Sequence, residues 1–75
     1  MVASLPATDF MTDEKRAVNA FEKRGFWIVR QRKHITMTDG VRIVTIPRSN
    51  PIDAHTMGGI IRDAGLTIDE FKELL

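Results

Sequence analysis

The sequence predicts a small α+β domain of α-β-β-β-α order with a short last helix appended. It would have a three-stranded antiparallel sheet with helices packed on one face. Three observations predict this. Residues 26–47 hold the dense β-branched and aromatic run of the chain, interrupted by Asp39-Gly40, a hairpin dipeptide. Apolar residues at helical spacing flank that run on both sides. The chain has 75 residues, 43% hydrophobic and 28% charged, enough for one folded domain and no more. An antiparallel sheet covered on one face is an economical way to bury such a pattern.

Residues 1–11, with Pro6 and mixed polar side chains, read as a flexible leader, and residues 12–75 as the single domain. Thr12 is the expected N-cap of a first helix over about Asp13 to Arg24. Asp13 and Glu14 then lie in the first turn, where the helix dipole favours negative charge. Ala17, Val18 and Phe21, with Met11 before them, form its apolar face, and Gly25 follows as a left-handed terminator. The first strand is expected over Phe26–Gln31, with Trp27, beside Phe26 at its start, as a core residue. The second runs His34–Thr38 and the third Val41–Ile46.

A two-residue turn at Asp39-Gly40 sets a register in which Thr38 pairs Val41, Thr36 pairs Ile43 and His34 pairs Thr45. Ile35, Met37, Val44 and Ile46 then share one face, and His34, Thr36, Ile43 and Thr45 the other. Pro47 ends the third strand because it has no N–H for the ladder. The second helix spans Asp53 to Ala64, with Met57, Ile60, Ile61 and Ala64 as its apolar stripe. Gly58-Gly59 inside it suggests a close backbone approach. Gly65 stops that helix, and Thr67-Ile68-Asp69-Glu70 is a capping box opening a last helix to Leu75, with Phe71, Leu74 and Leu75 as its apolar side.

Several function classes are excluded by composition. Without cysteine there is no disulfide framework, thiolate metal site or cysteine nucleophile. The sequence has no phosphate-cradling G-x-x-x-x-G-K-[ST], no G-x-G-x-x-G and no G-x-S-x-G. Its two histidines, His34 and His55, are 21 positions apart and match no metal-ligand spacing. The start of the chain does not resemble a signal peptide, and no apolar run approaches the roughly 18–20 residues that cross a membrane. The expected location is the cytoplasm.

Charge is what stands out. The net charge is +1, yet residues 15–48 carry nine Lys/Arg against two acids (Glu22, Asp39), a balance of +7, while both flanks are acidic. A basic middle attracts a polyanion or an acidic protein. His34 lies within it, beside Arg30, Arg32 and Lys33. A lone histidine can serve as general base or acid in RNA cleavage, where the 2′-hydroxyl is the nucleophile. Neighbouring cations can hold the phosphate and stabilise charge developing on its oxygens. A surface strand histidine with no task is the plain alternative. His55, at a helix start, reads as a solvated residue, and Trp27 has the alternative of stacking on a base.

Four stretches together resemble the HicA-type toxins (the YcfA-like family), small mRNA interferases of toxin–antitoxin pairs. They are Phe21-Glu22-Lys23-Arg24-Gly25-Phe26, the run Val29-Arg30-Gln31-Arg32-Lys33-His34, the strand Val44-Thr45-Ile46-Pro47, and Ile61 through Phe71. The likeness covers nearly all of the chain from Lys15 onward. It implies a fold similar to the double-stranded-RNA-binding domain, and an endoribonuclease acting on mRNA without metal or small-molecule cofactor. It also implies a HicB-like antitoxin partner that covers the active surface. The family's catalytic histidine ends a Gly-Ser-His motif. Its position is matched here by His34, preceded by the cations Arg32 and Lys33 in place of glycine and serine. The expected site is therefore His34 as catalytic residue, with Lys33, Arg32, Arg30 and Arg48 as RNA and phosphate contacts. The alternative on the same fold is a non-catalytic module that binds RNA or the antitoxin.

Overall fold

A computed structural model describes residues 12–75; the leader expected over residues 1–11, and with it Met11, lies outside them. Within these residues each helix starts on a side-chain cap. Helix α1 (Glu14–Lys23) is capped by Asp13, whose carboxylate accepts from Arg16 N–H at 2.8 Å. Thr12, the expected cap, comes one residue too early. It is 2% exposed and forms an isolated antiparallel bridge with Ile52, whose N–H donates to Thr12 O at 2.8 Å. The amide of Glu14 donates to Asn50 Oδ1 at 3.2 Å, so the loop before α2 also closes this helix end. At the other end Gly25 takes φ +101°, and the amides of Gly25 and Phe26 donate to Glu22 O and Phe21 O. That left-handed turn delivers the chain into the sheet.

Strands β1 (Trp27–Gln31), β2 (His34–Thr38) and β3 (Ile43–Pro47) form an antiparallel sheet in the order β1-β2-β3. The β2–β3 register differs from the expected one. Thr38 pairs Ile43, Met37 pairs Val44, Thr36 pairs Thr45, Ile35 pairs Ile46 and His34 pairs Pro47. The connection is a four-residue loop, Asp39 to Arg42, and side chains explain why. Asp39 Oδ1 accepts from both Val41 N–H (2.9 Å) and Arg42 N–H (2.8 Å), and the Thr38 hydroxyl donates to Arg42 O at 2.7 Å. A tight type I′ turn needs positive φ at both central residues, and only Gly40 has it (φ +98°). The shift is two residues, so both face assignments survive. Ile35, Met37, Val44 and Ile46 are buried, whereas His34, Ile43 and Thr45 are exposed.

Helix α2 (Ala54–Asp63) is capped by Asp53, and α3 (Ile68–Leu74) by the expected capping box of Thr67 and Glu70. The core joins Ala17, Ala20 and Phe21 of α1, the inner sheet residues, Met57, Ile60 and Ile61 of α2, and Phe71 of α3. Phe21 stands at its centre, 5.4 Å from the Phe26 ring and 5.2 Å from that of Phe71. Tilted ring pairs at such separations are favourable beyond the area they bury. The close approach expected at Gly58-Gly59 is absent: a Cβ on either glycine would meet nothing within 4 Å. Gly65 is the tight one, with φ +78° and the Arg42 side chain against its Cα. Among the described residues no helix is long and apolar enough to cross a membrane.

Candidate functional site

The sheet face opposite the core carries the site, and strand pairing fixes its layout. Residues paired directly across strands share a face. Trp27–Thr38–Ile43 is one row across the three strands, and Arg30–Thr36–Thr45 is the next. The third is His34–Pro47, reached where β1 turns into β2 through Arg32 and Lys33. Arg32 N–H donates back to His34 O at 3.1 Å, which holds the turn against the histidine's backbone.

Arg30 owes its place to a β-bulge. Between Ile28, paired with Met37, and Arg30, paired with Thr36, Val29 is an extra residue with no partner. In an unbroken alternation Arg30 would follow Ile28 onto the core face. The bulge re-aims it to the open one, beside His34, which is a recurrent use of this irregularity near functional surfaces.

Arg30, Arg32, Lys33, His34, Thr36 and Thr45 together line a shallow depression of about 340 Å³. Arg48 is ion-paired with Glu14, whereas the three cations around the depression have no carboxylate partner among the described residues. Uncompensated like charges raise the local positive potential, and the cheapest neutralisation available is an anion from outside. The two threonine hydroxyls add neutral donors. No hydrogen bond to the His34 ring forms among the described residues.

Of the five expected site residues, four come together here and Arg48 does not. Its Nη1 pairs with Glu14 Oε2 at 3.0 Å and its Nε donates to Arg32 O at 2.9 Å. It therefore braces the β1–β2 turn from behind, tying it to the start of α1. His55 lies in the exposed first turn of α2, away from the depression. Among the described residues no three His, Asp or Glu side chains cluster closely enough to hold a metal ion.

Trp27 corrects another expectation. It is 50% exposed, while its neighbour Phe26 is 4% exposed. In an extended chain two successive side chains cannot both face the core, and Phe26 takes the inward place. Thr36, Thr45 and the Val29 bulge had not been expected in the site. For the bulge a signal existed: a charged residue two positions after a core isoleucine.

Comparison with protein-family models, curated proteins and solved structures finds no match to this chain.

Proposed function

We propose that the protein is an RNA-cleaving toxin of the HicA type, partnered by a HicB-like antitoxin and acting in the cytoplasm. The observation that carries this reading is the sheet face opposite the core, on which Arg30, Arg32 and Lys33 surround His34 with no acidic partner among the described residues. The element order, α-β-β-β-α with α3 appended, supports a double-stranded-RNA-binding-domain-like reading of the fold. The four sequence stretches described above support the family.

In the proposed mechanism a phosphodiester lies in the depression, its non-bridging oxygens against Lys33 and Arg32, with Arg30 on a neighbouring phosphate. The His34 imidazole takes the proton of the adjacent 2′-hydroxyl. The O2′–P bond forms as the P–O5′ bond breaks, and the departing 5′-oxygen takes a proton from water. The imidazolium then returns its proton to solvent. The products are a 2′,3′-cyclic phosphate and a 5′-hydroxyl end. Arg32 and Lys33 stabilise the charge that grows on the phosphoryl oxygens in the transition state, the kind of term that contributes most to such reactions.

The test is a gel of RNA incubated with purified protein in excess chelator, alongside His34→Ala. Cleavage with cyclic phosphate ends, lost in the variant by a factor of about 10² or more, is expected. Cleavage unchanged in His34→Ala overturns the mechanism. One observation favours a second reading, a non-catalytic module that binds RNA or antitoxin: among the described residues no side chain hydrogen-bonds the His34 ring. It predicts RNA affinity with steep salt dependence and no cleavage products.

A further inference from the structure

We infer that Trp27 is a base-stacking residue of this same face, so that the ligand crossing it is single-stranded RNA with at least one unstacked base. The inference rests on the RNA-binding part of the reading above and adds a residue, a contact type and a strand state to it.

Three features carry it. First, Trp27 is the largest side chain of the open face and is 50% exposed, with Ile43 (64% exposed) in the same row and the bulged Val29 (54% exposed) two residues on. A surface strip of large apolar side chains beside a polar cluster marks a contact surface. Second, the indole has the β2–β3 loop as a neighbour. An added Cβ at Gly40 would stand 3.7 Å from Trp27 Cη2, so the ring lies against the β2–β3 loop. That loop is in turn pinned by Thr38 and Asp39. A neighbour at one edge narrows the rotamers open to the ring before it stacks.

Third, the strip is continuous with the cations. From the Trp27 row to the His34 row is four residues along β2, about 13 Å at the usual rise per residue. Arg30 lies in the row between. A base on Trp27, a phosphate on Arg30 and the next phosphate at Arg32, Lys33 and His34 follow one another in that distance. Sheet platforms with exposed aromatics accommodate about two or three bases in this manner. An A-form duplex offers no free base face to the indole, which is why the strand state follows from the residue. The three unpaired cations decide for a polyanion over an apolar protein surface as occupant.

Trp27 is the single tryptophan of the chain, so intrinsic fluorescence reports on this one place. The experiment titrates the full chain with a single-stranded oligonucleotide bearing 2′-O-methyl groups, which cannot be cleaved. Binding is followed by anisotropy of a label on the RNA and, in parallel, by tryptophan emission. Saturable quenching at the same midpoint as the anisotropy is expected. Trp27→Ala, checked for folding by circular dichroism, should bind about tenfold or more weakly with an unchanged salt slope, and Trp27→Phe should recover most of the loss.

Anisotropy change without quenching, or Trp27→Ala binding like the parent, overturns the inference while leaving RNA binding intact. A matched duplex that quenches equally well overturns it too. Binding and quenching without cleavage of unmodified RNA sustain the stacking role and sink the nuclease reading alone. No binding at low salt overturns the stacking role and leaves the apolar strip to a protein partner.

Discussion

Replacing both Gly58 and Gly59 by alanine should stabilise the fold substantially. Each glycine sits inside α2 with negative φ, and an added Cβ at either position meets no atom within 4 Å. The native backbone can therefore accept alanine without strain, and no contact is lost. What changes is the unfolded chain, which has less freedom to lose, together with the better helix propensity of alanine. That gain is about 0.4–1 kcal/mol per site. Neither Cβ meets a neighbouring atom, and two such gains sum to about 1–2 kcal/mol. For a domain of this size the melting temperature should rise by about 4–16 °C. A domain so small has only about 3–5 kcal/mol of stability to begin with, so the change is a large fraction of the whole. Thermal melts followed by circular dichroism for both single variants and the double one measure it. A double variant that melts at or below the parent temperature would refute the reasoning. It would mean that the glycines serve a close approach after all.

Two further predictions concern charge. Arg30→Ala should weaken single-stranded RNA binding and reduce the salt slope by about 0.7, one phosphate contact, whereas Arg48→Ala should leave the slope unchanged because its guanidinium is engaged with Glu14 and Arg32 O. Equal slope losses in binding titrations over a range of salt would show that Arg48 reaches the ligand. The second prediction is that acid destabilises the fold through three carboxylates that accept backbone amides. Amide hydrogen bonds from Arg42 and then Val41 hold the Asp39 carboxyl below its ordinary 3.8. The Thr56 amide and hydroxyl do the same for Asp53, and the Thr67 amide holds Glu70 below its ordinary 4.5. A carboxylate with a lowered folded-state pKa contributes stability above its unfolded value and loses it as pH falls through the folded one. The melting temperature should thus fall as pH drops below 4.5 and further below 3.8. A melting temperature that rises on acidification through this range would contradict the assignment.

Much of the fold was legible because burial in a small domain follows periodicity. Ala17 and Phe21, the four inner sheet residues, the stripe Met57-Ile60-Ile61-Ala64, and Phe71 were all readable from spacing, and all are buried. Ile52 was not readable. It is 1% exposed but lies in an irregular loop, where its place comes from a single bridge to Thr12. Periodicity carries no signal for a bridge between segments 40 residues apart. The hairpin failed for a local reason. Asp39-Gly40 favours a tight turn by propensity, but the Asp39 carboxylate gathers two amides beyond it and the Thr38 hydroxyl takes Arg42 O. These side-chain bonds extend the loop by two residues. Alternation cannot detect an even shift, and for the same reason the shift left His34 on the open face.

An odd shift would have been another matter, and β1 contains one. Ile28 half-buries its side chain against the core, and strict alternation after it would send Arg30 inward. In that alternation Arg30 would stand opposite Ile35, the place that Gln31 takes instead. The strand instead leaves Val29 unpaired, which makes Thr36 the partner of Arg30 and sets Gln31 opposite Ile35. The bulge thus supplies the third cation of the depression. The stacking strip and the phosphate-holding cluster meet at this point. Trp27 lies before the extra residue and Arg30 after it, yet both face the same side of the sheet although they are three positions apart. In a regular strand residues at that spacing point to opposite faces. The continuous path from indole to histidine therefore depends on a defect in the ladder.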